Sequence, residues 1–145
     1  NSKVPVFVVP GDNEWNDCPN IDEGWSYFEQ TFVGYESKYW SHNFEIIRQS
    51  DRPENFGFVH KGTLFVGLNI VGGRVHDGIE WLNRLSSQAA WTIELIKNHR
   101  LPTVIFGHAD PHAAHGSFFV PLQTFIQNEL RNEIPVLYLN GDRHE

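Results

Sequence analysis

Three short segments carry the side chains that could do chemistry. Pro10-Gly11-Asp12-Asn13-Glu14-Trp15 sets a carboxylate directly after a glycine, and Gly107-His108 sets an imidazole there. Asn140-Gly141-Asp142-Arg143-His144 offers a carboxylate and an imidazole two positions apart. Carboxylate oxygens and neutral imidazole nitrogens are the donors that manganese, iron, magnesium, calcium or zinc ions take. Each segment also follows a short apolar run: Val4 to Val9, Thr103 to Phe106, and Val136 to Leu139. In open α/β sheets, ligands collect beyond the carboxyl ends of the strands, so three such ends could wall one metal site.

Plainer readings exist for each. Asp12 and Asn13 also suit an Asx-type turn. Arg143 suits a surface salt bridge as well as a phosphate clamp. His108, Asp110, His112 and His115 fall within eight residues of one another. His108 is the best ligand of that group because it directly follows a strand. The other three read as solvated loop residues. His42, His60, His76 and His99 read as structural or exposed. Glu14 and Trp15 are placed to shape the surroundings of a ligand at Asp12. No serine or cysteine stands in a nucleophile elbow, Cys18 has no basic neighbour to activate it, and neither a P-loop nor a dinucleotide fingerprint occurs.

The elements that must position these residues follow from the apolar spacing. Val4 to Val9 reads as a strand covered on both faces, with Pro5 tolerated near its start. Asp22 is placed to cap a short helix holding Trp25, Phe28 and Phe32, and the ring-rich remainder to Phe44 reads as packing loop. Phe56 to Val59 and Thr63 to Ile70 flank His60-Lys61-Gly62, a hairpin signal. From Asp77, the apolar residues Ile79, Leu82, Leu85, Ala89, Ile93 and Ile96 recur at helical spacing. Asp77 with Glu80 suits its start and Pro102 its end. Thr103 to Phe106 is the next strand. A second helix on Leu122, Phe125 or Ile126, and Leu130 precedes the last strand, Val136 to Leu139. Strand, hairpin, helix, strand, helix, strand is an α/β order.

The length of 145 residues suits one domain, and 40% apolar residues suit a packed globule. A net charge of −7 argues against a general nucleic-acid or anionic-membrane surface. Cys18 is alone, which excludes an internal disulfide framework. No apolar run approaches the roughly 20 residues of a membrane helix. The absence of methionine and a start almost directly on a strand read as a piece of a longer protein, residues 1–145 being a single partial domain.

The ordered set of three motifs resembles the later half of the calcineurin-like metallophosphoesterase family. Val6 to Glu14 is similar to the segment that reads strand, Pro, then Gly-Asn-His-Asp/Glu. Thr103 to His108 is similar to the strand leading to the family's isolated ligand histidine, and Leu139 to His144 to its closing Gly-His-x-His. The resemblance implies an αββα sandwich around a mixed sheet, of which this chain holds only the later half. It also implies two divalent metals and hydrolysis of a phosphate mono- or diester by metal-bound hydroxide. Carried over by position, Asp12, His108 and Asp142 would bind one metal and His144 the other. Asn13 stands where a histidine meets the leaving oxygen or the phosphate, and an amide there can orient phosphate but cannot act as a general acid. Asp12 and Asp142 in place of Asn and His favour harder cations. The Gly-Asp-Asn-Glu-Trp and Gly-Asp-x-His pairing resembles a branch variant of the family.

The family's opening Asp-x-His and Gly-Asp segments do not occur before Val4. The expected partners are therefore a phosphate-ester substrate and a first half supplied by the same or another chain. The competing expectation is a phosphoesterase-like structural or binding module without catalysis, its ring-rich stretch from Trp25 to Phe44 serving an interface. A third is an unrelated α/β domain with scattered acidic turns.

Overall fold

A computed structural model of the chain describes residues 2–131 and 133–142. Its centre is a five-stranded mixed sheet: β1 (Ile47–Gln49), β2 (Arg52–His60), β3 (Thr63–Gly67), β4 (Thr103–Phe106) and β5 (Val136–Leu139), in that spatial order. β1, β2 and β3 pair antiparallel, whereas β3, β4 and β5 run parallel. The hairpin turns on Lys61 and Gly62 with φ of 48° and 76°, so both central residues are left-handed, and glycine takes the second without strain. Pairing of His60 with Thr63 fixes its register. The α/β class expected from the sequence is the observed one.

Long helix α3 (Gly78–His99) and helix α4 (Gly116–Asn128) cover one face of the sheet. Asp77 caps α3 by accepting from the Ile79 and Glu80 amides at 2.8 and 3.2 Å, a device that typically contributes about 1 kcal/mol. The Glu80 carboxylate meets Arg52 and Arg84, and so does not complete a capping box. Arg100 ends the helix in a left-handed conformation, φ 50°, ahead of Pro102. The core joins Leu64, Val66 and Ile105 of the sheet to Leu85, Ala89, Leu95 and Ile96 of α3 and Phe118, Leu122 and Phe125 of α4. Each fully buried large side chain there contributes roughly 1.5–3 kcal/mol.

The stripe of α3 is rotated from the expected one. Ile79 and Leu82 are exposed, while Trp81, Arg84, Gln88 and Thr92 are buried. An apolar-only count misses this because Arg84 and Gln88 reach the Asn69 carbonyl beneath the helix and satisfy it from the buried face.

The opposite face of the sheet carries rings. Phe58 pairs with Phe65, and Phe7 stacks on Phe58 with centroids 4.5 Å apart. The Phe56 ring lies across Gly67, where a Cβ would collide with it. Toward β5 the same face is open, and Leu137 and Leu139 are 52% and 42% exposed.

Three expectations about the N-terminal region are corrected. Val4 to Val9 joins no strand ladder; Phe7 lies on the rings of β2, and Val4 and Val6 remain exposed. An apolar run supplies side chains for a strand but not the partner whose amides a ladder needs. Helix α1 (Ile21–Phe32) is capped by Asn20, which accepts from the Glu23 amide, and not by Asp22. The stretch beyond it is not all loop: α2 (Tyr35–Tyr39) forms one short helix after Gly34, whose φ is 72°. Its rings and those of α1 make a continuous contact series from Trp15 through Trp25, Phe28, Phe32 and Tyr35 to Trp40. Short β1 was not anticipated by the apolar pattern, since three residues are too few to show a period.

Candidate metal centre

The carboxyl ends of β3, β4 and β5 point the same way because these strands are parallel. The chain past each end contributes to one place. Beyond β4, the amides of His108 and Ala109 both donate to the Ile70 carbonyl, at 2.9 and 2.8 Å. Beyond β5, the amides of Gly141 and Asp142 donate to the His108 carbonyl, at 3.2 and 3.0 Å. The His108 peptide is thus held from both sides. Gly107 is required in this crossing because the Tyr138 hydroxyl occupies the space of a Cβ. That hydroxyl donates to the Ala109 carbonyl at 2.6 Å. Burial, and then the charges of Asp110 and Asp142, push the Tyr138 pKa well above its ordinary value, so it remains a donor at neutral pH.

Asp12 arrives from a π-helical turn, Asp12–Asn16, that follows Gly11. Asn16 anchors this turn by donating its side-chain amide to the carbonyls of Gly72 and Arg74, at 2.9 and 3.0 Å. His76 Nε2 lies 2.7 Å from the Asn16 carbonyl. The turn therefore rests on the loop after β3. His115 holds that loop in turn: its Nε2 lies 2.9 Å from the Val71 carbonyl, which can only accept.

Asp12, His108 and Asp142 converge. His108 Nε2 lies 2.9 Å from Asp12 Oδ1 and 3.3 Å from Asp142 Oδ1, and one donor atom of each residue falls within 4.8 Å of the others. Two donors bound to one ion at about 2.1 Å stand roughly 3.0–3.4 Å apart in tetrahedral or octahedral geometry, and the two His108 contacts lie near that range. Their side chains are 13%, 20% and 32% exposed respectively, which leaves the centre open to solvent on one side. Gly72 forms its floor: a Cβ there would stand 3.0 Å from Asp142 Oδ2 and 3.5 Å from Asp12 Oδ2. At Gly11 a Cβ would collide with the Glu14 carboxylate and meet His108 Cε1 at 3.4 Å. Both glycines keep space for the acidic side chains.

Asn13 is exposed beside Asp12, and its backbone amide donates to Asp12 Oδ1 at 2.9 Å. His144, expected to bind a second metal, lies outside the described residues. His115 is buried against Trp81 and is no solvated loop residue. Gly72, Asn16 and His115 escaped the sequence reading as parts of the site. The only signal was Gly72-Gly73 after a long apolar run, which marks a turn but not its use.

Comparisons of the chain with protein-family models, curated proteins and solved structures returned no match. Among the described residues no helix is long and apolar enough to cross a membrane.

Proposed function

We propose that this chain is the later portion of a metal-dependent phosphoric ester hydrolase of the calcineurin-like kind. The observation that carries the reading is the convergence of Asp12, His108 and Asp142 from three distant segments, with one donor atom of each within 4.8 Å of the others. A divalent cation held there would neutralise phosphate charge and raise the acidity of bound water. Asp12 and Asp142 supply hard oxygen donors, which favours manganese, magnesium or calcium over zinc. His108 stands on its doubly held peptide. Asn13, exposed at the rim, is assigned to orient a phosphate oxygen by its amide. A second metal is assigned to His144 with donors from a first half that packs on the open sheet face. Exposed Leu137 and Leu139 support that packing, because a second sheet there would complete an αββα sandwich.

The test is hydrolysis of an aryl phosphate with added manganese by a protein that carries both halves and by its Asp12→Ala variant. The proposal expects metal-dependent turnover that the substitution abolishes, and equal turnover by both proteins would refute it. A second reading, a non-catalytic module, draws support from the same distances. His108 Nε2 stands at hydrogen-bond range of Asp12, so the three residues can also clasp the strand ends without a metal. On that reading manganese changes neither stability nor turnover.

A further inference from the structure

The helical layer has an outer surface that the sheet does not use. Charged residues make up 20% of the chain, yet the 13 residues of α4 hold none. From Trp81 to Ile93 of α3 the only one is Arg84, and it is buried. The side of α3 turned from the core carries instead a second stripe: Ile79, Leu82, Ser86, Ala90 and Ile93. Ile79 is 73% exposed and Leu82 52%, Ser86 and Ala90 are exposed, and Ile93 is half-buried. Val120, on the outer side of α4, is 60% exposed. A helix that packs one face on a core ordinarily sets charged residues on the other, and a helix apolar on both is covered on both. Depletion of charge also marks the centre of a protein interface.

The spacing of the stripe selects the partner. Its residues stand at −7, −4, 0, +4 and +7 from Ser86, so the pattern is the same from either end. A second copy of α3 laid antiparallel, on a two-fold axis at Ser86, brings Ile79 against Ile93 and Leu82 against Ala90. The long side chain meets the short one, and Ser86 is small enough for the helices to approach to about 8 Å. The ends agree with this orientation. The last turn, with Lys97 and His99, falls beside the partner's first turn, with Asp77 before it and Glu80 in it, and opposite helix dipoles meet. Glu80 and Lys97 each hold a partner in their own chain, so the ends add orientation more than strength. Net charge is an independent argument. Two copies at −7 repel, and contact is least opposed across a surface free of carboxylates. With 22 residues α3 is about 33 Å long, and a face two helices wide approaches the roughly 800 Å² that each partner gives to a stable dimer. The face lies opposite exposed Leu137 and Leu139, so a first half packed on those leaves it free.

We propose that the outer face of α3, with Val120 of α4 beside it, joins two copies of this chain in an antiparallel dimer centred on Ser86. Sedimentation equilibrium of the intact chain in EDTA, from ~5 to ~500 µM, tests it. The unaltered chain shows a mass that rises with concentration to twice that of the monomer. Ser86→Glu, which sets two carboxylates on the axis, weakens association at least about 30-fold. Leu82→Glu and Ala90→Lys each weaken it as well. Combined in one chain, each new carboxylate meets the partner's new ammonium, and association returns to within about tenfold of the unaltered chain. A chain that stays monomeric to ~500 µM would overturn the proposal, including one taken up by phosphatidylcholine vesicles instead. So would a dimer indifferent to Ser86→Glu, which would place the contact elsewhere, as on Leu137 and Leu139. A double variant no better than its weaker parent would overturn the antiparallel register. Should circular dichroism show Ser86→Glu unfolded, the charge pair at Leu82 and Ala90 decides alone.

Discussion

Asp12, His108 and Asp142 form one polar cluster of this molecule, and Glu54, Asn69, Glu80 and Arg84 form another. Both mix acidic and basic groups, yet they are built on opposite terms. In the first, all three side chains stay partly exposed and stand on loop backbone at strand ends. In the second, Arg84 is sealed at 1% exposure between two indoles and bound to a carbonyl and a carboxylate. Burial pushes the Arg84 pKa down, and the Glu80 carboxylate opposes that shift. Burial pushes Glu54 up, opposed by hydrogen bonds and by Arg52. An open cluster of acceptors can take an ion from solution at little desolvation cost. A sealed charge such as Arg84 is held by its own partners, and removing one of them is costly.

The comparison breaks most visibly at Arg84. Arg84→Ala empties the space between Trp15 and Trp81 and strips partners from Glu80 and the Asn69 carbonyl, so a loss of about 3 kcal/mol is expected in urea unfolding. Asp12→Ala, measured without metal, costs below about 1 kcal/mol because its pairing is partly solvated. Equal losses would erase the distinction. Manganese at a hundredfold excess over its dissociation constant is expected to stabilise the native chain by about 2.7 kcal/mol, read as a rise in melting temperature that EDTA reverses and Asp12→Ala lacks. Gly72→Ala sets a methyl 3.0 Å from Asp142 Oδ2 and is expected to weaken manganese binding by about tenfold in a competition titration with a chelating dye.

The smallest effect concerns pH. Glu54 has a folded pKa raised above its ordinary 4.5, so its contribution to stability is fully present below that value and is lost as pH rises through the folded one. The stability of the native chain relative to Glu54→Gln should therefore fall as pH rises from about 4.5 toward neutrality. A difference that is flat with pH would mean that Glu54 is not held in a desolvated place.

Much of the frame was legible in the chain itself. The bounds of β4 and β5, the Lys61-Gly62 hairpin and the Asp77 cap follow from short apolar runs, turn glycines and a side-chain acceptor, all of them local signals. Asp12, His108 and Asp142 could be selected because each follows a glycine after an apolar run, and that placement survives at the level of geometry. What stayed hidden was long-range. Val4 to Val9 has strand composition but no ladder, since pairing depends on a partner strand. Arg84 and Gln88 are buried because a carbonyl awaits them under α3, a fact no helical periodicity encodes. His115 reads as a loop histidine in the sequence, but its contact with the Val71 carbonyl, 44 residues away, holds the loop that carries Gly72.

Manganese titration of the metal-free chain, followed by the loss of the free-ion electron paramagnetic signal, bears most directly on the centre. The native protein is expected to bind the ion saturably, and His108→Ala, which removes the residue shared by both short contacts, to bind it at least about 100-fold more weakly. Equal manganese affinity in the two proteins would contradict the assignment of Asp12, His108 and Asp142 as a metal centre.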